Sequence, residues 1–524
     1  MGNDTDKHGK SGWSRRDILR LSMATGLSMS AAGLLLYGGP ALAEAPRRGG
    51  RLRVAASNSS VADTLDPAKG TNSGDYMRQF MFYSGLTELD DQMHAQPALA
   101  ESFESPDGRV WHLKLRQGVV FHDGKPFTAD DVVYSLLRHK DPATASKAKS
   151  LADQFETVVA EGPHDVRIEL VSPNVDLPAL LGTSHFLIIA DGTTDFALAN
   201  GTGPYRSKSF TPGGSVVGVR NENFWKNGKP YLDEIELIGL TDQAARVNGL
   251  LAGDLHMVTT IGPRDIERLR AGGRHEVLET RSGLYTNLIL RQDADVVRDP
   301  DFVMAMKYLQ NRERVRDAIL RGYGTLANDH PVPDWHPYYM KDLPQRAYDP
   351  DRARFHVERG KLQGKGGDLV CTPNVEGSVD GAQLLQQSAR TVGLQLNVRR
   401  VPYDGYWSNH WMKHPMSYGS INPRPTLDAL FSQFYKSDSP WNESGWQNAQ
   451  FDELLIQARA ELDEGKRKQM YGDMQVLISE QCSVLIPVFI SFLDAYDKRV
   501  KGLTPNPAGM LMGYRFAEDV WLDA

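Results

Sequence analysis

Cysteine is almost missing from this chain: Cys371 and Cys482 are the only two in 524 residues. Neither lies near residue 43, which excludes a lipid-anchored lipoprotein. They are far apart in sequence, so an oxidising compartment would permit a disulfide without establishing one. A basic excess is missing too. The net charge is -7, which gives no footprint for nucleic acid. No period of 20 to 50 residues repeats, which argues against a solenoid. The sequence contains no GxSxG elbow, no HExxH and no GxxxxGK[ST] loop, so the common hydrolase, zinc-protease and nucleotide signatures are all absent. His410 and His414 are four apart, but a metal site needs a third or fourth ligand, and no spacing ties His330 or His336 to them. No cofactor is implied.

What remains is an ordinary globular composition, 40% hydrophobic and 24% charged, in a chain too long for one compact core. Residues 1–43 read differently. SRRDILRLS carries the pair Arg15 and Arg16 ahead of an Ala-, Leu-, Gly- and Ser-rich stretch that closes on Ala41-Leu42-Ala43. Small residues at Ala41 and Ala43 suit a signal peptidase, and the arginine pair resembles a twin-arginine export signal. Gly26, Gly33, Gly38, Gly39 and Pro40 make the stretch a poor permanent span.

After this segment helices and strands alternate, which argues for α/β architecture. Residues 368–373, 380–392 and 394–401 read strand, helix, strand, a parallel unit. Asp299-Pro300 and Asp349-Pro350 each start a helix with a cap and a proline in the first turn. The stretch FHDGKPFTADDVVYS, residues 121–135, looks reactive but has local explanations. Trp111, Leu113 and Leu115 alternate as a half-buried strand, Asp123-Gly124 turns the chain, and Thr128 with Asp131 forms a capping box. His122 is left over, and a lone histidine beside a turn is more often structural than catalytic.

A second region is rich in aromatics: Tyr403, Tyr406, Trp407, Trp411, Tyr418, Trp441 and Trp446, with Arg424 in SINPRPTLD. Aromatic side chains suit both binding walls and core packing. The arginine offers a fixed fork for a carboxylate.

Long ordered segments resemble the family 5 extracellular solute-binding proteins of ABC importers, the periplasmic peptide- and nickel-binding receptors. LAESFESPDGRVWHLKLRQGVVFHDGKPFTADDVVYSLLR carries the family's signature. TLDPA, GTGPYRSKSFTPGGSVVGVRNENFW, PYLDEIEL and the stretch NAQFDELLIQARAELDEGKRKQMYGDMQVLISEQCSVLIPVF follow the family's order. The resemblance implies an α/β, two-lobe hinged periplasmic-binding-protein fold (type II) with an extra inserted subdomain. The implied division is a signal peptide (1–43), the start of lobe I (44–85), the inserted subdomain (86–199), lobe I continued (200–282), lobe II (283–490) and a return to lobe I (491–524). The chain would cross between lobes near Arg281 to Tyr285 and Phe489 to Leu493.

The resemblance also implies ligand contacts from Asn58 in the first lobe and from Tyr285, Tyr403, Trp407, Tyr418, Ser420, Asn422, Arg424 and Asp428 in the second. In peptide-binding members an aspartate of the second lobe takes the ligand's amino terminus. The usual acidic pair before a proline is missing here, and Asn422, Pro423 and Arg424 stand in its place, with Asp428 the only acid close by. The departure points to an anionic group facing Arg424, with a peptide-like ligand still allowed. Implied partners are a small-molecule ligand, an inner-membrane ABC permease with its ATPase and, during export, the twin-arginine translocase. Two other readings stay open: uptake of a metal or metal chelate, and a secreted hydrolase on the same scaffold.

Overall fold

The computed structural model of the protein describes residues 45–373, 375–402 and 404–523. Arg15, Arg16, Ala41, Ala43 and Tyr403 lie outside the described residues. The described residues lead into strand β1 (Arg51–Ala56) and helix α1 (Ser73–Phe82), whose cap Asn72 accepts from the Asp75 amide at 3.1 Å. Next come β2 (Ala100–Glu104), β3 (Val110–Leu115), helix α2 (Ala129–Leu137), β4 (Phe155–Gly162) and β5 (Asp165–Leu170). Strands β6 (Tyr205–Phe210), β7 (Ser215–Arg220) and β8 (Glu234–Gly239), helix α3 (Gln243–Ala252) and the short β9 (Met257–Val258) lead to the long strand β10 (His275–Leu290). Beyond it lie α4 (Pro300–Leu309), α5 (Pro350–Arg359), β11 (Gly366–Cys371), α6 (Ser378–Arg390), β12 (Gln395–Arg400) and β13 (Met416–Ile421). Helices α7 (Leu427–Phe434), α8 (Ala449–Ala460) and α9 (Glu464–Gln481) precede the last long strand, β14 (Val488–Asp497).

Ten of these strands form one path, β12-β11-β13-β10-β14-β9-β1-β8-β7-β6, and two short strands pair onto its middle. A separate antiparallel sheet has the order β2-β3-β5-β4. Apolar side chains segregate accordingly. Leu52, Val54, Met81, Leu237 and Phe516 share a core at the β1–β8 end. Leu113, Val132, Phe155, Ile168 and Phe186 fill a second core under the four-stranded sheet. At the β10–β13 end, side chains alternate between two faces. Leu288, Leu369, Leu385 and Met416 pack on one, and Tyr285, Phe431 and Tyr471 on the other.

Strands β10 and β14 alone carry the chain between the two ends of the large sheet. Their pairing runs from His275↔Asp497 to Thr280↔Phe492 and resumes at Leu284↔Ile490. Arg281, Ser282 and Gly283 therefore stand opposite Ser491 alone. Such an irregularity bends and twists a ladder locally. It falls within Arg281–Tyr285 and beside Phe489–Leu493. Ser282 occupies the break, its hydroxyl donating to Ile490 O at 2.7 Å and accepting from the Leu284 amide at 2.9 Å.

The FHDG stretch is scaffold in the structure. Asp123 accepts from the Lys125 amide at 2.9 Å, and Thr128 and Asp131 form the capping box of α2. His122 ties this turn to the Gly201–Pro204 loop, with Nε2 3.1 Å from Gly203 O and Nδ1 accepting from the Gly201 amide at 3.2 Å. Burial lowers the pKa of its imidazole. Cys371, at the end of β11, and Cys482, just after α9, are both buried and unpaired.

Candidate ligand-binding cleft

In open α/β sheets ligands collect beyond the carboxyl ends of parallel strands, where backbone groups and loops converge. Two sets of parallel strands end near the break in β10. In one, β1 runs parallel to β8 and β9, and its end leads to Ser57 and Asn58, while β9 leads to Thr259 and Thr260. In the other, β11 runs parallel to β12 and β13. Strand β11 leads to the loop of Glu376, and β13 leads to Asn422-Pro423-Arg424-Pro425. Gly283, inside the β10 break, faces Pro423: a Cβ there would lie 3.7 Å from the proline ring.

Arg424 is held by neutral groups only. Its Nε donates to Gln433 Oε1 at 2.7 Å, and Nη1 donates to Asn422 O at 3.0 Å and Pro423 O at 3.4 Å. The guanidinium lies over the Phe434 ring, 5.0 Å from its centroid. No carboxylate pairs with it among the described residues, and its Nη2 has no hydrogen-bond partner there. Burial pulls its pKa down, with Tyr285 and Tyr76 acting in the opposite direction. Tyr76 sits on α1, across the break from Arg424. It packs edge-on against His185 and Tyr514, each at 5.5 Å between ring centroids. Burial raises its phenol pKa, as does Asp75, while the charge of Arg424 opposes the rise.

Asn58 also faces outward. Its Oδ1 accepts from the hydroxyls of Ser57 at 2.8 Å and Ser73 at 3.1 Å, which leaves its amide nitrogen as an open donor. Ser57 in turn meets Thr260 Oγ1 at 3.0 Å. Beneath this cluster, Asp494 accepts from the amides of Thr260 at 3.2 Å and Leu511 at 2.8 Å. Leu511, Met512 and Tyr514 all hold positive φ, with values of 42, 64 and 71°. Non-glycine residues seldom adopt this conformation, and runs of it gather at functional sites.

The expected contact residues are thus divided. Arg424 and Asn422 follow β13 on one side of the β10 break, and Asn58 follows β1 on the other. Tyr285 is fully buried, its hydroxyl 3.1 Å from that of Tyr435. Tyr418 is a core residue facing α6, so it packs rather than lines. Ser420 is half-buried on the Tyr418 face of β13, opposite Thr286. Trp407 is 39% exposed and stands edge-on to Trp411 at 5.9 Å. Asp428 is consumed: it accepts from Arg459 Nε at 2.9 Å, and burial raises its pKa. His410 and His414 approach each other at 3.0 Å, but among the described residues no group of three or more ligating side chains is placed to hold a metal ion.

Tyr76, Tyr514 and Glu376 were not anticipated. The Glu376 side chain is exposed and makes no hydrogen bond or ion pair with described residues, while its backbone oxygen accepts from the Thr286 hydroxyl at 2.8 Å. Desolvation raises its pKa, opposed by the charge of Arg264. No local pattern marks these three residues, because strands far apart in sequence bring them to the crevice.

Two α/β lobes joined through two strands, with an irregular ladder between them and an unneutralised cation on the rim, define a hinged solute-binding protein. The sequence profile of the bacterial extracellular solute-binding proteins, family 5, matches residues 94–443, and the chain belongs to this family. It is 24% identical over 473 residues to heme-binding protein A of Haemophilus influenzae, covering 83% of this chain and 85% of that protein. It is 26% identical over 464 residues to di/tripeptide-binding protein 2 of Pseudomonas aeruginosa, covering 78% and 84%. The periplasmic binding protein DppA of Helicobacter pylori, solved with the peptide STSA, shares the fold with a TM-score of 0.75 at 21% identity, covering 91% of this chain and 99% of that one. Among the described residues no helix is long and apolar enough to cross a membrane.

Proposed function

We propose that this protein is a periplasmic receptor of an ABC importer. It captures a small anionic or peptide-like solute between its lobes and delivers it to an inner-membrane permease driven by its ATPase. The observation that carries the ligand class is Arg424: a half-buried guanidinium, fixed by neutral partners, with no carboxylate paired to it among the described residues. A buried cation without a counter-charge costs free energy, and a ligand anion would offset that cost. The relatives named for heme and for di- and tripeptides bind carboxylate-bearing solutes, which agrees with such a site. The proposed role is binding without turnover. The proposed boundaries remain those of the sequence: lobe I in 44–85, 200–282 and 491–524, the subdomain in 86–199 and lobe II in 283–490. The segregated cores support them.

The experiment is native purification followed by mass spectrometry of whatever small molecule accompanies the protein, then thermal unfolding with that molecule added. At about 100 times its dissociation constant a true ligand stabilises the fold by roughly 2.7 kcal/mol. The molecule should be returned chemically unchanged. A conversion product would instead indicate an enzyme, and no shift with any co-purifying, peptide or organic-acid solute would refute the receptor reading.

Export is proposed to use the twin-arginine route, from the pair Arg15 and Arg16 before a modestly apolar stretch. Replacing both by lysine should leave precursor in the cytoplasm. Normal periplasmic accumulation of the double variant, measured by cell fractionation, would exclude this route.

A further inference from the structure

Apart from β10 and β14, the two lobes meet at a second place. Asp176 precedes the short helix Leu177–Leu181, whose Leu177 and Leu181 pack in the core of the four-stranded sheet. Arg467 lies on α9, beside Tyr471 and Met474 of a second-lobe core. Asp176 Oδ1 accepts from Arg467 Nη2, and the two side chains are only 12% and 10% exposed. One backbone bond runs beside the pair, from the Val175 amide to Arg459 O at 3.1 Å.

Arg467 is set in position before it reaches Asp176. Its Nη1 donates to the Tyr338 hydroxyl at 3.0 Å and its Nε to Ala458 O at 3.2 Å. Its guanidinium lies over the rings of Tyr338 and Tyr471, at 5.2 and 5.6 Å from the centroids. All of these partners belong to the second lobe, so the arginine would keep its place with the lobes apart. Asp176 is less well served: its Oδ2 is buried without a hydrogen-bond partner. The pair also borders a cavity of about 510 Å³ whose wall includes Pro425, Thr426 and Leu427. Those residues follow Arg424 directly and lead into α7, so the end of the ligand loop and the Asp176–Arg467 pair line one cavity.

We propose that Asp176 and Arg467 form an interlobe latch, which favours the arrangement with the lobes together and is broken when the hinge opens. The chain connects the two bodies only through the irregular segment of β10 and β14. A bend there changes the separation of Asp176 and Arg467, whereas every other contact of Arg467 moves with it. On opening, both charges regain water, so the contact biases the equilibrium rather than locking it. A ligand that draws the Arg424 loop toward the first lobe would also bring Arg467 to Asp176, and capture and latching would reinforce each other.

The test needs no ligand, so its failure is separate from failure of the receptor reading. Val171 and Ile456 are 60% and 58% exposed, one on each side of the latch, whereas both native cysteines are buried. Spin labels on Val171→Cys and Ile456→Cys report the interlobe distance by double electron–electron resonance. The ligand-free protein should show a short-distance population, and Asp176→Asn should lower its ratio to the long-distance one by about tenfold, within the usual range of coupling. Arg467→Lys, which keeps the charge but loses the fork, should fall between and serves if the asparagine variant folds poorly. Asp428→Asn, which breaks the neighbouring pair inside the second lobe, should leave the distribution in place. The latch is overturned by a wild type without the short-distance population, by an undiminished one in the latch variants, or by an equal loss in Asp428→Asn.

Discussion

Arg424→Ala should abolish most of the ligand affinity and leave the melting temperature of the unliganded protein almost unchanged. The two halves of this expectation have one cause. In the free protein the half-buried guanidinium is partly withdrawn from water with no counter-charge among the described residues, and its bonds to Gln433, Asn422 and Pro423 are to neutral oxygens. Removing it loses those bonds and the contact with Phe434, but also relieves a desolvated charge, and the two effects oppose each other. In the complex the balance differs. A ligand carboxylate that reaches Nη2 would be left in a desolvated site with no partner, which costs about 2–5 kcal/mol of affinity, or roughly 30-fold to several thousandfold. An ordinary surface ion pair would move affinity by at most about 1 kcal/mol, and among the described residues no carboxylate pairs with Arg424. Arg424→Lys should fall between, since a lysine keeps the charge but not the two-pronged geometry. Calorimetry with the co-purified solute measures both variants. Unchanged affinity in Arg424→Ala would remove this residue from the site.

The elements were legible in the sequence because their causes are local. Asp299-Pro300 and Asp349-Pro350 do start α4 and α5, and the alternation of Trp111, Leu113 and Leu115 is that of β3. The 403–446 aromatics show the limit of such reading. Tyr406, Tyr418 and Trp446 are buried in cores, whereas Trp407 and Trp441 are exposed, and nothing in the local spacing separates the two groups. For Tyr418 the alternation of β13 decides it, with Tyr418 on one face and Gly419 on the other, and the remaining aromatics are sorted by what packs on them from elsewhere in the chain. Asp428 was a reasonable candidate from its distance to Arg424 in sequence. It lies in the first turn of α7, where Arg459 from α8 meets it. Tyr76 and Glu376 reach the crevice because β1, β10, β11 and β14 share one sheet, a long-range fact that no window of residues carries. The proline-flanked arginine was visible. Its lack of a partner is a property of the packing around it.

That packing also holds a second unneutralised charge, and it yields an expected result that needs no ligand. Glu443→Gln should make the protein more stable at pH 8 by up to about 3 kcal/mol and change little at pH 4.5. The Glu443 carboxyl is buried against β10 and β13. Gly419 makes the room: a Cβ there would lie 2.6 Å from Oε1. The carboxyl receives two neutral donors, Trp411 Nε1 at 2.7 Å and Asn287 Nδ2 at 2.6 Å, and no cation pairs with it among the described residues. Burial, opposed by those two hydrogen bonds, raises its pKa from 4.5 to about 7. The folded state therefore holds this proton more tightly than the unfolded chain. Between about pH 4.5 and 7 the folded form binds more protons, so stability falls as pH rises through that window and levels off above it. Glutamine removes the ionisation and still fits. Its oxygen can accept from Trp411, and Asn287, whose Oδ1 is buried without a partner, can turn that oxygen to receive the new amide. Urea unfolding of both proteins from pH 4.5 to 8.5 measures the difference directly, and other titrating groups cancel between them. The gap should open with rising pH and be complete near pH 8. Two parallel curves would mean that Glu443 is solvated or paired in solution.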